Sequence, residues 1–140
     1  MPNRDVTIDT IQRELTAFAR RARTKAAQLH PELSLVTYSI LDHIKERGGC
    51  RSTDLACHFM LDKSTVSRQI AMLDRNGLIL READPEDHRG QILRPSEHGL
   101  QLLEHAHEQR RASYTRRFTD WDDDDLERLA GYLERYNAAE

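Results

Sequence analysis

Cysteine is scarce in this chain: Cys50 and Cys57 are the two among 140 residues. Two cysteines make no disulfide framework, so the fold must rest on an apolar core, with reduced thiols as the expected state. No apolar run approaches the length of a membrane span, and the opening MPNRDVTID has no signal-peptide core, so the expectation is a cytoplasmic protein without a membrane partner. Six glycines and four prolines are spread thinly, with no Gly-rich phosphate loop, nucleophile elbow or HExxH pattern. Catalysis is therefore not expected, and no cofactor or metal site is assigned from these motifs. An excess of positive charge is missing as well. The net charge of -3 weighs against a nucleic-acid partner unless cations are placed locally.

What is present is helical periodicity, on a chain sized for one domain. Ile8, Ile11, Leu15, Phe18, Ala22, Ala26 and Leu29 recur at spacings of three and four, which predicts a long amphipathic helix over 6–29. Arg13, Arg20, Arg21, Arg23 and Lys25 occupy its other face, and His30-Pro31 ends it. Ser34 can cap a second helix through Arg47, stopped by Gly48-Gly49. Cys50 and Arg51 suit a strand of one or two residues, and Ser52 or Thr53 starts a third helix ending near Met60. After Gly99 a second long helix reaches about Phe118, and Thr119-Asp120-Trp121 breaks it. Asp122 to Asp125 then crowd the start of a last helix, where carboxylates favour the positive end of the dipole.

The segment from Leu61 to Gly99 carries the chemistry. Asp62 is a good N-cap, and Val66, Ile70 and Leu73 form one apolar stripe. That stripe leaves Lys63, Ser64, Thr65, Ser67, Arg68 and Gln69 near the helix start, several facing outward. Hydroxyls, an amide and cations donate to phosphates and read base edges in a major groove. Asn76-Gly77 stops this helix. Leu78-Ile79-Leu80 and Ile92-Leu93 then read as two short strands around the turn formers Asp84-Pro85-Glu86-Asp87 and Gly90. By charge, residues 1–31 hold six Lys/Arg and three Asp/Glu, +3; residues 32–98 hold nine and eleven, -2; residues 99–140 hold six and ten, -4. Any reading surface must therefore turn Lys63, Arg68, Arg75 and Arg89 one way and its acids the other.

The strings DKSTVSRQIAMLDRNGLI, DPEDHRG and SEHG resemble the winged helix-turn-helix of the MarR (multiple antibiotic resistance regulator) family, including the wing signature at Asp87-His88-Arg89. The strand-to-helix junction departs from that family's usual Leu-Thr-x-x-Gly: Ser96 keeps the capping hydroxyl, while Pro95 suits only an edge or a strand end and points to a second wing strand shorter than is usual for the family. The expected fold is mainly α with a small β-wing. It comprises an N-terminal dimerisation helix (1–31), a winged helix-turn-helix (32–98) and C-terminal dimerisation helices (99–140). The end helices carry apolar stripes too extensive for the middle domain to cover, and family members dimerise through them. A two-fold dimer would present two recognition helices to half-sites about 34 Å apart on a pseudo-palindromic duplex. Arg89 at the wing tip fits a narrow minor groove electrostatically, and Asp87 is expected to pair with Arg89 or Arg75.

The resemblance further implies repression relieved by a small, often aromatic or phenolic ligand, with Phe18, Ala22, His30, Tyr38 and His43 as candidate lining. Two other switches compete. Cys50 precedes a helix start, where a thiolate is favoured, and some family members sense oxidants; the alternative is that Cys50 packs beneath the wing and Cys57 is a half-exposed helix residue. Zinc is the other, through His105, His107, Glu104 and Glu108, although His105 and His107 do not share a helix face cleanly. A winged-helix protein-interaction module without DNA binding is the reading that the acidic balance favours.

Overall fold

The computed structural model describes residues 3–29, 33–87 and 89–139. In chain order the elements are α1 (Arg4–Leu29), α2 (Leu35–Glu46), α3 (Ser52–Phe59), α4 (Lys63–Arg75), β1 (Ile79–Ala83), β2 (Gln91–Pro95), α5 (Glu97–Arg117) and α6 (Asp123–Ala138). They form two compact units, residues 1–103 and 104–140. No described helix is long and apolar enough to cross a membrane.

In the first unit the core lies where α2, α3 and α4 meet the wing. Ile40, Leu41, Ile44, Leu55, Val66, Leu73, Leu78 and Leu93 are all buried there. Local signals start the helices as expected. The Ser34 hydroxyl accepts the Thr37 N–H at 3.2 Å to open α2, and the Asp62 carboxylate accepts the Thr65 N–H at 2.6 Å to open α4. Between α3 and α4 the chain turns through Met60, whose left-handed φ of 53° lets the Leu61 N–H reach the Ala56 carbonyl at 3.0 Å. Gly77, at φ 69°, ends α4, and the Leu78 N–H caps Leu73 at 2.9 Å.

The two wing strands pair antiparallel, with Ile79 opposite Pro95, Arg81 opposite Leu93 and Ala83 opposite Gln91. Cys50 adds a single bridge to Leu93, exchanging hydrogen bonds of 3.1 and 2.8 Å. Each wing strand is five residues long. Pro95 is the last strand residue, where its missing donor leaves no gap, and the next N–H, that of Ser96, reaches the Leu78 carbonyl at 2.9 Å. The Ser96 hydroxyl donates to the Gly77 carbonyl at 2.6 Å and accepts the Gly99 N–H at 3.0 Å. One side chain therefore ties the end of α4 to the start of α5.

Helix α1 has one buried apolar residue among its described side chains, Ala26, while Val6, Ile8, Ile11, Leu15 and Phe18 are exposed. In the second unit Tyr114, Phe118 and Trp121 form a chain of ring contacts, with centroids 6.1 and 5.1 Å apart. Asp122 caps α6 by accepting the Asp125 N–H at 2.8 Å, so the carboxylate run does serve a helix start. Tyr132, Leu133 and Tyr136 of α6 are exposed.

Candidate nucleic-acid interface

Helix α4 opens on an ordered first turn. The Asp62 carboxylate takes the Thr65 N–H and the Ser64 hydroxyl (2.8 Å), and these donors, Thr65 foremost, bring its pKa down to about 2. Arg68 reaches back to the Thr65 hydroxyl at 3.2 Å. Lys63, Ser64, Ser67, Arg68 and Arg75 are exposed, and Thr65 is half-buried. Gln69 is half-buried too: its carbonyl oxygen accepts from the Thr37 hydroxyl on α2, so part of its hydrogen-bonding capacity serves the helix packing.

Between α4 and the wing lies a cavity of about 640 Å³ whose walls include Ser52, Thr53, Lys63, Ser67, Arg81, Arg89 and Gln91. Among the described lining residues three are cations and none is a carboxylate. Such a lining gathers positive charge locally in an acidic chain, with Asp74 offsetting part of it at Arg81. Lys63, Ser67 and Arg89 were legible as candidates, whereas Ser52, Thr53, Arg81 and Gln91 were not. Strand register decides Arg81: it shares a face with Ile79 and Ala83 and turns toward α4, where Asp74 holds it at 3.1 Å and Gln91 at 3.2 Å. At the wing tip the Asp87 carboxylate accepts the Arg89 backbone N–H at 3.0 Å. The expected pairing of Asp87 with the guanidinium of Arg89 or Arg75 does not form among the described residues. Asp87 closes the turn locally and leaves the Arg89 side chain exposed.

The MarR family model matches residues 33–90, which span α2 to the wing turn. The uncharacterized HTH-type transcriptional regulator YxaD of Bacillus subtilis (strain 168) is 34% identical over 134 residues, 94% of each chain. The chain belongs to the MarR family. A probable transcriptional regulator from Pseudomonas aeruginosa superposes at a TM-score of 0.75 with 26% identity, over 93% of this chain and 98% of that one. A mutant MarR from E. coli, solved in complex with operator DNA, has the same fold at a TM-score of 0.76 and 16% identity, over 96% and 99% of the two chains. MarR-family regulators are non-enzymatic DNA-binding proteins that dimerise and generally act as ligand-responsive repressors.

The remaining MarR-type candidates differ in burial. Phe18 is exposed on α1, Ala22 half-buried, Tyr38 buried in α2, and His30 lies outside the described residues. His43 stacks on His58 with centroids 4.0 Å apart, and Phe59 meets both rings edge-on. Burial first, then His58 and Arg47, lowers the His43 pKa. Cys50 is buried, and burial, with Asp54 adding to it, pushes its thiol up to about 11. It therefore stays protonated at neutral pH despite preceding a helix start. Cys57 is exposed. His105 and His107 bond along α5 to Gln109 (2.8 Å) and Arg111 (3.0 Å). Among the described residues, no group of three or more His, Cys, Asp or Glu could hold a metal ion.

Proposed function

We propose that this chain is a homodimeric transcriptional regulator that binds a pseudo-palindromic operator, with Lys63–Gln69 and Arg75 of α4 at the major groove and Arg89 at the flanking minor groove. The observation that carries the reading is the trough between α4 and the wing, lined by Lys63, Arg81 and Arg89 and, among the described residues, by no carboxylate, in a chain of net charge -3. Dimerisation rests on the exposed apolar residues of α1 and α6, including Val6 at 60% and Tyr136 at 65% exposure. Exposed apolar surface on that scale marks an interaction face. A small effector, aromatic or phenolic in the family pattern, releases the operator from a site near Phe18, Ala22, Tyr38 and His43.

Footprinting on the intergenic DNA beside the protein's own gene tests this. Two protected half-sites centred about one helical turn apart are expected. Arg89→Ala should weaken binding and flatten the dependence of log K on log salt by about one phosphate contact. A monomer in solution, or no protection at low salt, refutes the reading and turns the chain toward protein partners.

A further inference from the structure

Arg51 occupies a position its residue type does not favour. It is the N-cap of α3, where Ser, Thr, Asp and Asn lead because their oxygens accept the first free N–H groups. Ser52 and Thr53 follow at once, yet the helix begins after an arginine. What Arg51 supplies instead lies 33 residues away. Its Nε donates to the Asp84 carboxylate at 2.5 Å, and its Nη2 reaches Glu86 at 3.3 Å. Asp84 is 1% exposed and stands where β1 enters the wing turn. Its other oxygen accepts the Glu86 N–H at 3.0 Å, and its own N–H donates to the Gly90 carbonyl at 3.2 Å.

The backbone at Arg51 is pinned from both directions. The preceding residue, Cys50, is bridged to Leu93 of β2, and Asp54 of α3 accepts the Arg51 N–H at 3.2 Å. The guanidinium is therefore fixed to the helix layer, while the carboxylate it grips belongs to the turn that carries Arg89. A buried carboxylate needs such a partner, since an unpaired one is costly to desolvate. A local rule broken at the N-cap, with a compensating contact elsewhere, is the pattern expected where function has chosen the residue.

We propose that Arg51 is a positioning residue of the wing: by holding Asp84 against the start of α3, it sets where the Arg89 tip stands relative to α4, without touching DNA itself. The inference rests on the trough being the DNA interface, and it predicts a coupling that a purely stabilising contact would not show. On an operator fragment, Arg89→Ala should bind about tenfold more weakly, a modest value for one guanidinium contact. Arg51→Ala, and the isosteric Asp84→Asn in case the first folds poorly, should lose affinity by a similar factor. The Arg51→Ala/Arg89→Ala double variant should bind no more weakly than either single one, and Arg51→Lys should recover part of the loss. In hydrogen exchange on the free protein, the amides of Asp84 and Gly90 should exchange faster in Arg51→Ala and Asp84→Asn while those of α4 are unchanged.

Losses that multiply in the double variant, wild-type affinity in Arg51→Ala and Asp84→Asn while Arg89→Ala binds weakly, or exchange that rises equally in α4 would each overturn the positioning role. Wild-type affinity in Arg89→Ala would instead remove the wing from DNA binding, and the role of Arg51 with it.

Discussion

Gly99 and Gly131 both sit inside helices, and the structure predicts that the same substitution acts on them with opposite sign. In an unobstructed helix, alanine is favoured over glycine by about 1 kcal/mol. Gly131 on α6 has nothing within 4 Å of where a Cβ would stand, so Gly131→Ala should stabilise by about 1 kcal/mol. At Gly99 the added Cβ would overlap the Leu78 carbonyl oxygen and lie 3.1 Å from its carbon. That obstacle is backbone, held by the Ser96 N–H and flanked by the Ser96–Gly77 bond, so it cannot swing away as a side-chain end would. Forcing an atom into such a site costs about 1–3 kcal/mol, which cancels or outweighs the helical gain and leaves a net loss of up to about 2 kcal/mol. At about 3 °C per kcal/mol for a chain of this size, Gly131→Ala should melt about 3 °C above wild type and Gly99→Ala up to about 6 °C below it. Circular dichroism melts at one fixed protein concentration check this, since dimer stability depends on concentration. A Gly99→Ala variant more stable than wild type would refute the close approach of α5 to the end of α4.

Asp62 is held near a pKa of 2 in the folded state, below an ordinary aspartate, so its contribution is complete above pH 4 and fades as pH falls toward 2. The stability gap between wild type and Asp62→Ala should therefore be flat at neutral pH and close between pH 4 and 2; a gap that widens in acid contradicts the capping geometry. Met60→Gly should stabilise by about 0.5–1 kcal/mol in urea melts, because glycine accepts the left-handed φ of 53° without a Cβ penalty. Iodoacetamide at pH 7 should label Cys57 and leave Cys50 unmodified in the native protein, read by peptide mass mapping. Equal labelling would mean that Cys50 is neither buried nor protonated as described.

The features legible along the chain are those whose partners lie within one or two turns. Ser34, Asp62 and Asp122 each cap a helix by accepting an N–H three residues on, a rule that needs no tertiary contact. The Val66, Ile70 and Leu73 stripe and the Gly77 stop are equally local. Asp87 shows where local reading stops short: its turn was visible, but its acceptor role toward the Arg89 backbone, rather than a guanidinium, is a matter of geometry. Pro95 suits a strand end, and β2 does end on it, where a proline removes no ladder bond.

By itself, then, the order of residues determined the number and kind of elements, their caps, the outward set on α4 and the family likeness, because helical periodicity and capping are encoded within a few positions. Tertiary structure alone decided which polar groups meet. Gln69 is engaged by Thr37, 32 positions earlier; Arg81 enters the trough through strand register; Arg51 finds Asp84 across the wing root; and Gly99 is held small by the Leu78 carbonyl. Each depends on how separate elements pack, and no pattern along one element reports the distance to another.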